Sequence, residues 1–272
     1  MIPASFDYEV ADSVAHAVEL LGTRDDAKLL AGGHSLVPLL KLRVVRPALL
    51  VDVGRLTELS YIRDDGDTLT IGALTRHHDL ATDALVAQEA PLLAAAAPQI
   101  GDPQVRHRGT IGGSVAHGDP ASDLPACLLA LDAEMLIVGS GSERFVPAAE
   151  FFKDVFTTAV GPREMLTAIR VRKHGGSGTA YVKFSRRAQD WATVGVAVVL
   201  ENGGGAIALA NMGPTPLRAR TAESALAEGA AAAGEGAAAE TSPPSDTAAS
   251  AEFRKHLARV LTRRAVEQAQ AG

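Results

Sequence analysis

Residues 105–125 read VRHRGTIGGSVAHGDPASDLP, the densest concentration of small residues, Asp and Pro in the chain, set just before an apolar helical run. Thr110-Ile111-Gly112-Gly113-Ser114 places two adjacent glycines between hydrogen-bonding side chains. Glycines let a backbone approach a ligand closely and adopt positive φ. Successive N–H groups in such a turn converge on an anion. An upstream echo, Ala31-Gly32-Gly33-His34-Ser35, follows the apolar strand Lys28-Leu29-Leu30. Two Gly-Gly loops, each expected after an extended segment, suggest two arms on one elongated anion, and a dinucleotide pyrophosphate fits.

Working outward, residues 28–53 read as strand, turn, helix and strand. Ser35 is a candidate N-cap, and Leu49–Val53 is the returning strand. A helix beginning at Ser35 would turn its N-terminus toward a phosphate. Before this unit, residues 12–21 show helical spacing after Asp12. After it, 60–63 and 68–73 form a hairpin around Asp64-Asp65-Gly66-Asp67. Residues 75–80 and the Ala-rich 83–97 are expected to be helical. A helix at 126–131 is followed by strands at 134–139, 144–147 and 165–172, with a helical turn at 149–152. His174-Gly175-Gly176-Ser177-Gly178 reads as a linker. Beyond it, 179–184, 193–200 and 206–212 form an antiparallel meander, with Asn202–Gly205 turning the second strand into the third. Residues 221–228 are helical, 229–250 a long surface excursion and 251–269 a helix.

Composition narrows the function. The 272 residues suffice for two domains, and the net charge of −6 with no basic stripe argues against nucleic acid. Basic residues cluster at 41–46 and 183–187, read first as solvated faces. The single cysteine, Cys127, lies in an apolar run and reads as a buried small hydrophobe; one cysteine makes neither a disulfide nor an iron–sulfur site. His16 is isolated, and His77-His78 would point apart on a helix, which disfavours a metal site. The N-terminus lacks a signal-peptide pattern and no run reaches membrane-span length, so a cytoplasmic protein without membrane insertion is expected.

The segments AGGHSLVPLLKLR (31–43), LLVDV (49–53), IGALTRHHDL (71–80), GTIGGSVAHGDPASDLPA (109–126), EMLTAIRV (164–171) and YVKFSRRAQDWA (181–192) together resemble the FAD-binding medium subunit of molybdenum hydroxylases, a family that includes carbon monoxide dehydrogenases and xanthine dehydrogenases. The resemblance spans the chain and implies an α+β protein. Its N-terminal FAD domain, of the PCMH type, would have two α/β subdomains over residues 1–176, split near 55. Its C-terminal domain, residues 177–272, would carry a three-stranded antiparallel sheet and helices.

The same resemblance implies cofactor contacts from Ala31, Gly32, Gly33, His34 and Ser35, and from Thr110, Ile111, Gly112, Gly113 and Ser114, to the pyrophosphate and adjoining sugar. Asp123 would accept hydrogen bonds from ribityl or ribose hydroxyls; its other reading is an N-cap. Leu166 belongs to the matching EMLTAIRV segment. Lys183 and Trp191 lie in the segment that approaches the isoalloxazine ring, although Trp191 also reads as a core anchor. Ser114 and His117 stand where the family often has Asn.

The implied activity is electron transfer. FAD in this chain would take electrons from [2Fe–2S] clusters on a small iron–sulfur subunit, after oxidation of substrate at a molybdenum cofactor on a large subunit, and pass them to an external acceptor. The assembly would be a dimer of heterotrimers. No acid–base dyad or nucleophile, and hence no catalytic residue, is expected in this chain. Two alternatives stand beside this reading: a self-sufficient FAD oxidoreductase, and a non-catalytic assembly subunit with a decayed flavin site.

Overall fold

The computed structural model describes residues 1–201 and 204–272. Its first unit is β1 (Asp7–Val10), α1 (Val14–Leu21), β2 (Lys28–Leu30), α2 (Leu36–Lys41) and β3 (Leu49–Asp52). The three strands form a parallel sheet in the order β1-β3-β2. Parallel neighbours need crossover connections, and the helical spacing of 14–21 and 36–41 supplies them. Ser13 caps α1, its hydroxyl accepting from the His16 N–H at 3.1 Å.

The second unit runs β4 (Ile62–Asp64), β5 (Thr68–Gly72), α3 (His77–Thr82), α4 (Ala84–Glu89), α5 (Pro91–Ala96), α6 (Pro103–Arg108), α7 (Ile111–His117), α8 (Asp123–Ala130), β6 (Glu134–Gly139), β7 (Ser142–Pro147), α9 (Ala148–Phe151), β8 (Phe152–Asp154), β9 (Thr157–Thr158) and β10 (Met165–Arg172). Its sheet is antiparallel, ordered β4-β5-β10-β6-β7, with β8 and β9 as a separate hairpin. The Ala-rich run expected as one helix breaks at Asp83, whose carboxylate caps α4 through Leu85 and Val86, and again where Pro91 starts α5. The core here draws on α5 and α8, whose Leu92, Leu93, Leu124 and Leu128 are fully buried, and includes Cys127.

The C-terminal unit comprises β11 (Gly178–Phe184), β12 (Val194–Glu201), β13 (Gly204–Ala210), β14 (Leu217–Arg218), α10 (Arg220–Ser224), α11 (Ala230–Gly236) and α12 (Ala251–Ala271). The expected three-strand meander is present, and its sheet carries a fourth strand: β14 pairs Leu217 with Leu209 and Arg218 with Ala208. Two residues are too few to show periodicity. The turn expected at Asn202-Gly203 lies outside the described residues.

The surface excursion expected at 229–250 needs correcting. It contains α11, with Ala233 and Ala237 fully buried against the C-terminal core. A methyl group at Gly234 would sit 2.8 Å from the Arg259 carbonyl oxygen of α12. Small side chains thus let two backbones pack closely where large apolar residues are absent.

Candidate functional site

After β2 the chain turns through Ala31–Ser35 into α2, and Gly33 takes φ +79°, a conformation that favours glycine. Gly32 is needed for a different reason. A methyl group there would lie 2.3 Å from the Arg108 carbonyl oxygen and 2.8 Å from Gly109 Cα. The first loop therefore rests on the backbone that leads into the second. Among the described residues, the N–H groups of Gly32, Gly33, His34 and Ser35 make no hydrogen bond to protein. Ser35 occupies the N-cap position of α2, but its side chain makes no capping bond. The loop thus keeps its donors for something else.

The second loop differs from the expected turn. Residues 111–117 are helix α7, preceded by helix α6 rather than by a strand. Thr110 caps α7, its Oγ1 accepting the Gly113 N–H at 3.2 Å. Ile111 donates to Thr75 O at 3.0 Å, Gly112 to Ala73 O at 2.9 Å and Ser114 to Thr110 O at 3.0 Å. Every N–H from 111 to 114 is already bonded, so the converging donors expected here are found in the first loop alone. The Ile111 side chain is fully buried in the core and faces away from the cleft lining. Gly112 is small because a methyl group would press within 2.6 Å of Ala73 O. Gly113 is exposed and leaves the face of α7 bare beside the Ser114 hydroxyl.

The GDPASD segment is a reversal between α7 and α8. Gly118 ends α7 with φ +65°, and Asp119 Oδ1 accepts the Ala121 N–H at 2.9 Å. The C-terminal unit grips this reversal: Asn211 donates its N–H to Pro120 O at 2.8 Å and Ala192 to Ala121 O at 3.3 Å. Ser122, not Asp123, takes the N-cap position of α8. Asp123 is 6% exposed. Its Oδ1 accepts from the Tyr181 hydroxyl at 2.5 Å and its Oδ2 from Lys183 Nζ at 3.1 Å, while Lys183 Nζ also donates to Gln99 O at 3.0 Å. Burial pushes the Asp123 carboxyl above the usual range despite the lowering by Lys183 and Tyr181, and burial raises the Tyr181 hydroxyl well above its ordinary value. Lys183 therefore belongs to a buried charge pair, not to the solvated face expected for 183–187.

These elements surround one cleft of about 850 Å³. Of the residues anticipated from sequence, Ala31 to Ser35, Thr110, Gly112, Gly113, Ser114, Asp123, Leu166, Lys183 and Trp191 all line it; Ile111 does not. Trp191 is 61% exposed, which removes the core-anchor reading. The sequence reading missed Tyr181, although Tyr181 and Lys183 are two apart on β11 and so share a face. It also missed Phe156, which stands at the cleft on the β8–β9 hairpin and packs against His117 with ring centroids 5.0 Å apart. His77, another missed lining residue, is buried against Gly109 and has a pKa held down to about 4, by burial first and then by Arg76 and Arg106.

A cradle of free backbone donors, hydroxyls at its edge and an apolar cleft beyond suits a dinucleotide. Comparison with known proteins agrees. The family described as FAD binding domain in molybdopterin dehydrogenase matches residues 4–172. The chain belongs to this family. The family CO dehydrogenase flavoprotein C-terminal domain matches residues 179–269. A carbon monoxide dehydrogenase medium chain from Hydrogenophaga pseudoflava is 43% identical, aligned over 99% of this chain and 98% of its own. A 6-hydroxypseudooxynicotine dehydrogenase complex subunit alpha from Paenarthrobacter nicotinovorans is 42% identical over 99% and 96%. A solved carbon monoxide dehydrogenase from H. pseudoflava superposes with TM-score 0.96 at 44% identity, covering 100% of this chain and 99% of that one. The chain is thus the FAD subunit of an oxidoreductase of the molybdenum hydroxylase class, a medium chain like that of carbon monoxide dehydrogenase.

Proposed function

We propose that this medium chain is an electron-transfer subunit. Bound FAD would supply the redox chemistry, placed between [2Fe–2S] clusters on a small partner subunit and an external acceptor. A large molybdenum-binding subunit would oxidise the substrate, in an assembly built as a dimer of heterotrimers. The related medium chains, matched end to end, support this reading. The observation that carries the cofactor's place is the set of four unbonded N–H groups at Gly32–Ser35 lining the cleft.

In this reading the first loop, from Ala31, holds the pyrophosphate through those donors. Thr110, Gly113 and Ser114 border the adjoining sugar and phosphate with hydroxyls and a bare helix face. Gly112 serves by close packing. Asp123 has further lone pairs to accept from cofactor hydroxyls while Lys183 balances its charge. Leu166 supplies apolar wall, and Lys183 and Trp191 stand on the isoalloxazine side. Residues 1–176 form the FAD domain, divided near 55 where the parallel sheet gives way to the antiparallel one, and 177–272 form the second domain.

Calorimetric titration of the full chain with FAD and with FMN tests the cofactor assignment. FAD binding well ahead of FMN is expected, because the free donors suit a pyrophosphate. Equal affinity, or none for FAD, would overturn it.

A further inference from the structure

The loop that carries Trp191 is held from behind by a segment remote from the cleft. Arg254, on α12, is 1% exposed. Its guanidinium donates to Thr193 O at 2.5 Å and to Asp246 Oδ2 at 2.7 Å. A fully buried arginine is uncommon and needs such partners. Asp246 is itself set by the Ala248 and Ala249 N–H groups at 2.8 and 3.1 Å. A second arginine ties the other side of the loop to the same place: Arg186 donates to Thr247 O at 3.0 Å. Asn211 Nδ2 takes the remaining carbonyl, Ala192 O, at 2.7 Å. Both carbonyls immediately after Trp191 are therefore claimed by side chains from elsewhere in the C-terminal unit, while Trp191 itself stands out at the cleft.

We propose that Arg254, clamped by Asp246, is a positioning residue that fixes the Trp191 loop over the cofactor cleft. The Pro- and Ser-containing stretch 242–250 then works as a brace and not as a passive connection. Its effect on FAD rests on the function proposed above; its effect on the loop does not. The guanidinium is suited to the task because it spans two acceptors at once, which a lysine ammonium on a shorter, single-headed side chain does less well.

Trp191 is the only tryptophan, so its fluorescence reports on the loop alone. The test uses the full chain, comparing wild type with Arg254→Met, Arg254→Lys and Arg186→Ala. Nanosecond anisotropy decay of Trp191 is recorded without FAD, and FAD affinity is titrated alongside. In Arg254→Met the amplitude of local nanosecond motion should rise about twofold and the FAD dissociation constant about tenfold. Arg254→Lys should lie between that variant and wild type. Arg186→Ala, a surface change, should shift anisotropy in the same direction to a smaller degree. Wild-type anisotropy in folded Arg254→Met would overturn the proposal, as would wild-type anisotropy in Arg186→Ala if the methionine variant does not fold. A wild-type chain that binds no FAD would instead sink the functional reading alone, leaving anisotropy to decide on the brace.

Discussion

Replacing Gly32 with alanine would put a methyl carbon 2.3 Å from the Arg108 carbonyl oxygen, 2.9 Å from its carbonyl carbon and 2.8 Å from Gly109 Cα. Ordinary contact needs about 3.5 Å, so a gap of roughly 1 Å must open. Every atom struck is backbone, and no side chain can swing away. The Arg108–Gly109 segment is also pinned: Arg76 donates to Arg108 O, and the His77 N–H donates to Gly109 O at 3.1 Å. Overpacking of this kind costs about 2 kcal/mol, which in a chain of this size lowers Tm by roughly 4–8 °C. Moving the four free donors by 1 Å lengthens their bonds to any anion, so FAD affinity should fall by about tenfold or more. Gly33→Ala is the control. Its methyl group meets only side-chain atoms, Val37 Cγ2 at 3.2 Å and Leu30 Cδ1 at 3.5 Å, and its penalty is the φ of +79°; about 1 kcal/mol is expected. Thermal unfolding and FAD titration on both variants decide the matter. Gly32→Ala with wild-type Tm and wild-type affinity would refute the claim that the two loops bear on each other.

Further outcomes follow from the buried charges and the cleft. Asp123→Ala would strand the Lys183 ammonium, whose side chain is 3% exposed, and should cost about 3–5 kcal/mol in denaturant unfolding, with Asp123→Asn costing less. His77 has a folded pKa of about 4 against an ordinary 6.5. Its contribution is therefore fully present above pH 6.5 and lost as pH falls through 4. Between pH 7 and 5 wild type should lose about 2 kcal/mol more than His77→Leu, measured by denaturant unfolding at both pH values. Trp191→Ala should leave stability within about 0.5 kcal/mol yet alter the bound flavin's spectrum or its reoxidation rate; unchanged optical behaviour would detach Trp191 from the cofactor.

What was legible in the sequence depended on how local the cause was. The parallel β2-α2-β3 unit could be read because LLAGGHS and LLVDV carry strand, turn and strand within one short stretch. The hairpin at 62–72 could be read from its Asp-Gly turn. Gly-Gly pairs announced close approach, but not to what. Gly32 approaches Arg108 and Gly112 approaches Ala73, contacts made across the fold. The bonding of residues 111–114 was illegible for the same reason, since Thr75 and Ala73 come from the other side of α3 and α6. Helix α11 escaped notice because alanine packing leaves no pattern of large apolar residues. The basic run 183–187 suggests a solvated face and the family resemblance puts Lys183 beside the flavin, but neither shows its ion pair with Asp123; only the strand alternation that sets it on one face with Tyr181 hints at burial.

The central claim, an FAD electron-transfer subunit within a molybdenum enzyme, is tested most directly by the visible absorption spectrum of the complex isolated from its native host through a tag on this chain. Flavin bands superimposed on broad iron–sulfur absorbance are predicted, with partner chains in fixed proportion. Flavin bands alone from an intact assembly, or a folded chain without colour, would contradict it.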